Sequence, residues 1–368
     1  MHTAPQMKPW VDAIAPYVPG KAAIAGRAVV AKLSSNENPF GPSPRAVAAM
    51  QDVLAGAHRY PDPASTELRT ALGTHHGIDP ARIVCGTGSD EIIHLVAGAF
   101  AGPGDEVLHV RYGFAVYEIA ARRVGATVVV APDADYGTDV DALLACVTPR
   151  TRVVFVANPN NPTGTIIPAS EVRRLHAALP ADCIFALDCA YAEFAEGEYE
   201  DGLALADAHA NVVTMRTFSK IHGLAAQRIG WGYAQPGIVA AMHRIRAPFN
   251  VPTTGQVGAV AALADRDWVT RTRDHTLQWR RWLNDEVTAL GNKGLRAIPS
   301  AANFVLVEFP ESGPLTADKA NAALTADGII ARYLSVQNMP RCIRISVGTE
   351  AETRAAVASL RAFVEREG

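Results

Sequence analysis

Short apolar runs rich in valine and isoleucine punctuate the chain: "RIVCG" (82–86), "DEVLHV" (105–110), "ATVVVA" (126–131), "TRVVFVANP" (151–159), "CIFALDC" (183–189), "NVVTMRTF" (211–218) and "IGWGYA" (229–234). Such runs lack the apolar–polar alternation of a half-buried strand, and suit strands covered on both faces. Between them, apolar positions return at helical spacing over 91–100, 114–124, 168–179 and 237–245. Buried strands alternating with helices predict an α/β fold, a large domain with a mostly parallel seven-stranded sheet between helices.

The pattern changes after about residue 250. A helical stretch over 254–290 is followed by "SAANFVLVEF" (300–309), "ADKANAALTADGII" (317–330), "CIRISVG" (342–348) and a last helix over 350–365. This is the pattern of a smaller α+β domain. At the N-terminus, the arm from "YVPG" to "NENPFGPSP" is expected to be extended, packing on the small domain or on a partner. Its prolines at 39, 42 and 44 argue against a regular element there. The expected division is therefore 1–45 as arm and part of the small domain, 46–265 as the large domain, and 266–368 as the small C-terminal domain.

Composition narrows the function classes. The chain has 368 residues, 49% hydrophobic and 19% charged, which is globular composition with room for more than one core. A net charge of −3 without blocks of like charge argues against nucleic acid or an anionic membrane as the main partner. Cys85, Cys146, Cys183, Cys189 and Cys342 form no CxxC pair and show no metal-ligand spacing, as in a reduced cytoplasmic protein. The leading stretch "MHTAPQMKPWVDAIAPYVPG" has no apolar core of a signal peptide, and no apolar run has membrane-spanning length.

In open parallel sheets, ligands bind beyond the carboxyl ends of the strands. Here those ends carry Asn161 in "NPNNPTG", Asp188 and Tyr191 in "DCAY", Ser219 and Lys220 in "SK", and the helix-opening "GTGSDE". In the last of these, glycines permit a tight turn, Ser89 or Asp90 can cap the following helix, and exposed amides there attract a phosphate. An ordinary capped helix gives the same pattern. At a phosphate the backbone amide of Asp90 is the useful group, since its carboxylate would repel. Asp188 closes a run that should be buried, so it needs a partner: a protonated ring nitrogen, a distant arginine, or exposure at the strand end.

Lys220 is the candidate nucleophile. Free lysine, with a pKa of about 10.4, is protonated at neutral pH, but linked to an aldehyde it becomes an electrophile and on release a base. Pyridoxal phosphate needs a lysine, a carboxylate at its pyridine nitrogen, donors to its phenolic oxygen and a phosphate cradle. Lys220, Asp188, Asn161 with Tyr191, and Gly88, Ser89 and Asp90 with Ser219 and Arg228 are candidates for those four places. The small residues between Lys220 and Arg228 let the backbone pass close to a phosphate.

With "PYVPGK", "LSSNENPFGPSP", "RYPDP", "GTGSDEII", "NPNNPTG", "DCAY", "SKIHGLAAQRIGW" and "CIRISVGT" spread over nearly its whole length, the chain resembles the fold-type I pyridoxal-phosphate aminotransferases. Among them it is most similar to the histidinol-phosphate aminotransferases. The resemblance implies that Lys220 binds the cofactor covalently, Asp188 pairs with the pyridine nitrogen, and Asn161 and Tyr191 bond the phenolic oxygen. It implies that Phe114 stacks on the cofactor ring. It also implies that Tyr60 reaches the phosphate of the neighbouring subunit in a homodimer. On the substrate side it implies that Arg344 grips a carboxylate, that Arg332 and Tyr17 lie near the histidinol phosphate group, and that Asn36 lies near the substrate channel. A surface salt bridge is the plain alternative for Arg332. The implied reaction is transamination between L-histidinol phosphate and 2-oxoglutarate in histidine biosynthesis.

Three positions depart from that pattern: Cys189 stands where glutamate is common, "VRYGF" replaces "PPTY" before the stacking ring, and "AAQR" replaces "AGLR". They leave the cofactor contacts intact and bear on substrate preference, so an aromatic or broad-specificity aminotransferase is the nearest rival. A decarboxylase or carbon–sulfur lyase on the same scaffold is a more distant one. A dinucleotide-dependent oxidoreductase would want GxGxxG, and "GTGSDE" lacks the third glycine. His222, two residues after the lysine, is expected to pack beside the turn.

Overall fold

The seven apolar runs all become strands of one sheet: β1 (Ile83–Gly86), β2 (Glu106–Val110), β3 (Thr127–Ala131), β4 (Thr151–Ala157), β5 (Ile184–Asp188), β6 (Val212–Thr217) and β7 (Gly230–Ala234). Their spatial order is β1-β7-β6-β5-β4-β2-β3. In this computed structural model, which describes residues 5–26 and 28–368, every pairing is parallel except those of β7, which runs antiparallel to both β1 and β6. Residues 1–4 of the leading stretch, and Arg27 in the arm, lie outside the described residues. Alternate residues of the central strands feed two cores. Val154, Val156, Phe185 and Leu187 join one, and Val153, Phe155, Ile184 and Ala186 join the other. That two-sided burial is why no polar alternation marks these strands.

The helices Ser89–Phe100, Val116–Arg123, Ala169–Ala178 and Pro236–Ile245 match the helical patterns to within two residues at each end. The helices not anticipated include Pro44–Asp52 and Thr66–His76. The first corrects the expectation for the arm. Pro44 sits at a helix start, where its missing N–H costs nothing, and the Ser43 side chain caps the turn by accepting from the Ala46 N–H.

The stretch 254–290 is two helices, Thr253–Ala264 and Arg266–Thr288, broken at Asp265, whose backbone (φ −91°, ψ 69°) leaves the helical region. Beyond them, β8 (Arg296–Ile298), β9 (Phe304–Glu308), β10 (Arg332–Tyr333) and β11 (Cys342–Ser346) form an antiparallel sheet in the order β8-β9-β11-β10. Its core takes in Ala31 and Leu33 of the arm, and Ala31–Lys32 pairs in parallel with Ile329–Ile330. The last helix, Glu350–Glu367, opens with a reciprocal capping box between Thr349 and Glu352. No helix among the described residues is long and apolar enough to cross a membrane.

Candidate active site

Four strand ends and one helix start converge on a cavity of about 280 Å³. Tyr17, Asn36, Ser89, Asp90, Phe114, Asn161, Asp188, Tyr191, Ser219, Lys220, Arg228, Arg332 and Arg344 all line it. The geometry follows from the parallel register. Asp188 ends β5 opposite Ala157, the last residue of β4, so "DCAY" and "NPNNPTG" leave the sheet side by side. Neighbouring β6 ends at Thr217 and delivers Ser219 and Lys220 to the same edge.

Asp188 is 4% exposed. Its Oδ2 accepts from the Tyr117 hydroxyl at 2.8 Å and its Oδ1 from the Ala190 N–H at 3.1 Å. Neither an arginine partner nor an exposed strand end accounts for it. Burial pushes the carboxyl up to about 6 against the pull of those two bonds. Lys220 moves the other way. Burial, reinforced by the charge of Arg344, brings its ammonium down to about 8. Its Nζ lies 5.6 Å from the centre of the Tyr191 ring.

The Tyr191 hydroxyl accepts from Asn36 Nδ2 at 2.8 Å, and burial first of all pushes this phenol up to about 12, so it stays protonated. Asn36 has a left-handed backbone (φ 54°), which asparagine tolerates better than most residues. It is held there by Ser346, whose hydroxyl donates to Asn36 Oδ1 at 3.0 Å, and by Asn303, which donates to its carbonyl at 3.0 Å.

A cradle forms around the start of the helix Ser89–Phe100. Neither Ser89 nor Asp90 caps it, as the sequence had allowed. Gly88 is the N-cap residue, and no side chain caps it. Instead the Glu91 carboxylate gathers the Thr87 N–H at 2.6 Å and hydroxyl at 2.9 Å, and Asn250 Nδ2 at 2.8 Å. Arg228, itself left-handed (φ 52°), donates to Ser219 Oγ at 3.2 Å and to Asp90 Oδ2 at 3.2 Å. The Asp90 carboxylate is thus engaged with a cation, while the first amides of the helix have no partner within it. Gly88 has φ +84°, and a Cβ there would stand 2.5 Å from Arg228 Nη2. A Cβ on Gly230 of β7 would run into the backbone of Gly88 and Ser89, so only glycine lets the sheet pass beneath this turn.

These residues fit pyridoxal phosphate. The buried Asp188 suits a cationic ring nitrogen, the Gly88–Asp90 turn with Arg228 suits a dianionic phosphate, and Lys220 stands between them with a lowered pKa. The profile of the family described as aminotransferase class I and II matches residues 28–360. The chain belongs to this family.

Among the relatives of this aminotransferase are histidinol-phosphate aminotransferases from Sphingopyxis alaskensis, 55% identical over 96% of each chain, and Zymomonas mobilis, 52% identical over the full length of both. The crystal structure of histidinol-phosphate aminotransferase from Sinorhizobium meliloti in complex with pyridoxal-5'-phosphate aligns with a TM-score of 0.89. It is 30% identical and covers 100% of this chain and 99% of its own.

On the substrate side of the aminotransferase, Arg344 is 7% exposed and bonds no acid among the described residues. It donates to Asn161 Oδ1 at 2.5 Å and to the Ser34 carbonyl at 2.8 Å, leaving Nε unpartnered. Burial lowers it to about 10. Arg332 is no surface salt bridge: it is buried and donates to the Val18 carbonyl at 2.6 Å, tying the arm to the cavity beside Tyr17. Tyr60 lies outside the cavity, 81% exposed and stacked on Phe249 with ring centres 4.6 Å apart. His222 packs against Phe218. Sequence reasoning missed Tyr117, Ser346 and Asn303. Only Tyr117 carried a signal, a second ring three residues after Phe114 and therefore one helical turn along.

Proposed function

We propose that this aminotransferase binds pyridoxal phosphate and moves the amino group of L-histidinol phosphate to 2-oxoglutarate, giving imidazole-acetol phosphate and L-glutamate in histidine biosynthesis. The observation that carries this reading is the pair of buried guanidiniums, Arg332 and Arg344, facing the Lys220 cavity with no acidic partner among the described residues. Buried cations of this kind call for anionic ligands. The donor has a phosphate and the acceptor two carboxylates. The names of relatives above 50% identity favour the same donor.

The cofactor, when bound, supplies an electron sink and carries the amino group between the two half-reactions. The chain does the rest. Lys220 would anchor the cofactor covalently, and its Nζ, when free, would take the α-proton and return it. A pKa near 8 leaves a useful fraction in the base form at neutral pH. Asp188 keeps the ring nitrogen protonated, Tyr191 and Asn161 hold the phenolic oxygen, and Phe114 covers the ring. Gly88, Ser89, Asp90, Ser219 and Arg228 hold the phosphate. Arg344, Arg332, Tyr17 and Asn36 orient the substrate.

The same reading takes the enzyme as a cytoplasmic homodimer in which Tyr60 serves the partner's site. The exposed Tyr60–Phe249 stack supports that. It also divides the chain into 1–45, 46–265 and 266–368, as the sequence pattern predicts. A competition assay tests the donor. Histidinol phosphate is expected to outcompete phenylalanine and tyrosine, and comparable turnover of all three would favour a broad-specificity aminotransferase.

A further inference from the structure

Tyr117 is buried in the wall of the site, outside every motif discussed above. Its ring stacks on Phe155 of β4 with centres 4.9 Å apart and planes 1° apart, and meets Phe114 edge to face at 5.9 Å. Its hydroxyl, fixed by that packing, donates to Asp188 Oδ2 at 2.8 Å. We propose that Tyr117 is a positioning residue, whose hydroxyl holds the Asp188 carboxylate ionised and aimed for a cationic ring nitrogen while its ring sets the height of Phe114. This rests on the cofactor reading given above.

The physical case is one of donors. A carboxylate in an apolar wall needs hydrogen bonds to remain charged. Among the described residues, Asp188 has only the Tyr117 hydroxyl and the Ala190 N–H. Burial and the adjacent Asp188 charge push the Tyr117 phenol far above its ordinary range, so it stays a donor and never competes for the negative charge. The other groups facing Asp188 are Lys220, whose charge favours ionisation, and Asp90, whose charge opposes it. Both belong to other elements and stay in place when Tyr117 changes. One side chain therefore touches both the Asp188 carboxylate and the Phe114 ring, because the turn before the helix Val116–Arg123, closed by the Tyr117 N–H donating to the Phe114 carbonyl at 3.0 Å, brings the two rings together.

Tyr117→Phe keeps both ring contacts and removes one oxygen. A hydrogen bond to a charged group contributes about 10-fold or more to an equilibrium. The full-length variant, freed of cofactor, is titrated with pyridoxal phosphate across the pH range beside wild type, with circular dichroism as the check on folding. We expect the acid limb of the affinity profile to move up by about one pH unit, so that affinity on the acid side of the limb falls about 10-fold. The ligand's own titrations are common to both proteins and cancel. A purely structural role would leave the limb where it is, and an unmoved limb overturns the proposal. If Tyr117→Phe does not fold, Phe155→Leu loosens the stack that aims the same hydroxyl, and a limb unmoved there overturns it equally. Borohydride trapping of cofactor on Lys220 in wild type shows whether the cofactor reading stands, so the two failures are distinguishable.

Discussion

Asp188 should cost the cofactor-free protein stability, and the cost can be worked out. Its carboxyl is pushed from 3.8 to about 6, first of all by burial. At about 1.36 kcal/mol per unit, this is about 3 kcal/mol of folding energy withheld once the group ionises. The sign follows from proton counting. The folded pKa lies above the unfolded one, so between about pH 4 and 6 the folded state binds more protons, and stability falls as pH rises through that window. Above it the full penalty remains until a cation pairs with the carboxylate. Asp188→Asn removes the charge and keeps an acceptor for Tyr117, although its new N–H groups need partners of their own. Cofactor-free Asp188→Asn is therefore expected to be more stable than wild type by about 1–3 kcal/mol near pH 7.5, with the gap shrinking to about a third of that near pH 4.5. The same substitution should abolish productive cofactor binding. Chemical denaturation of both proteins at the two pH values measures the gap. A variant no more stable near pH 7.5, or a gap undiminished in acid, would refute the reasoning.

Other perturbations bear on different parts of the site. Arg344→Gln removes the positive charge that, after burial, does most to lower Lys220, so the pH limb of kcat set by the released lysine should move upward. Glutamate turnover should fall by about 100-fold or more, as expected for a lost bidentate charged pair. A limb that stays in place would separate the two residues. Gly88→Ala forces a left-handed alanine and pushes on Arg228. Cofactor affinity is expected to drop about 10-fold for about 1–2 kcal/mol of lost stability, both readable by titration and thermal melts.

Much of this was legible in the sequence because the large sheet is mainly parallel. Each apolar run had to be a strand, and each strand parallel to its neighbours had to end at the same edge. Asn161, Asp188 and Lys220 could therefore be grouped before any distance was known. The break at Asp265 was placed as a domain boundary but not as a helix end, although the apolar run 257–264 stops at the polar Asp265, Arg266 and Asp267. The helix at Pro44 was obscured by a proline that marks a helix start as readily as a loop. Tyr117, Ser346 and Asn303 escaped because each acts through a contact far away in sequence. Ser346 and Asn303 reach Asn36 from the second sheet, and no local pattern encodes such a meeting. Tyr60 was recognisable only through the family resemblance, since a single chain leaves it on an open surface.

The central claim is that the strand ends form one cofactor site whose covalent anchor is Lys220. Reduction of the cofactor-loaded enzyme with borohydride, followed by peptide mapping, tests it directly. The account predicts the added mass of the reduced cofactor on the peptide carrying Lys220, and its disappearance together with the visible absorbance in Lys220→Ala. Labelling of Lys8, Lys21, Lys32, Lys293 or Lys319 instead, or no label at all, would contradict it.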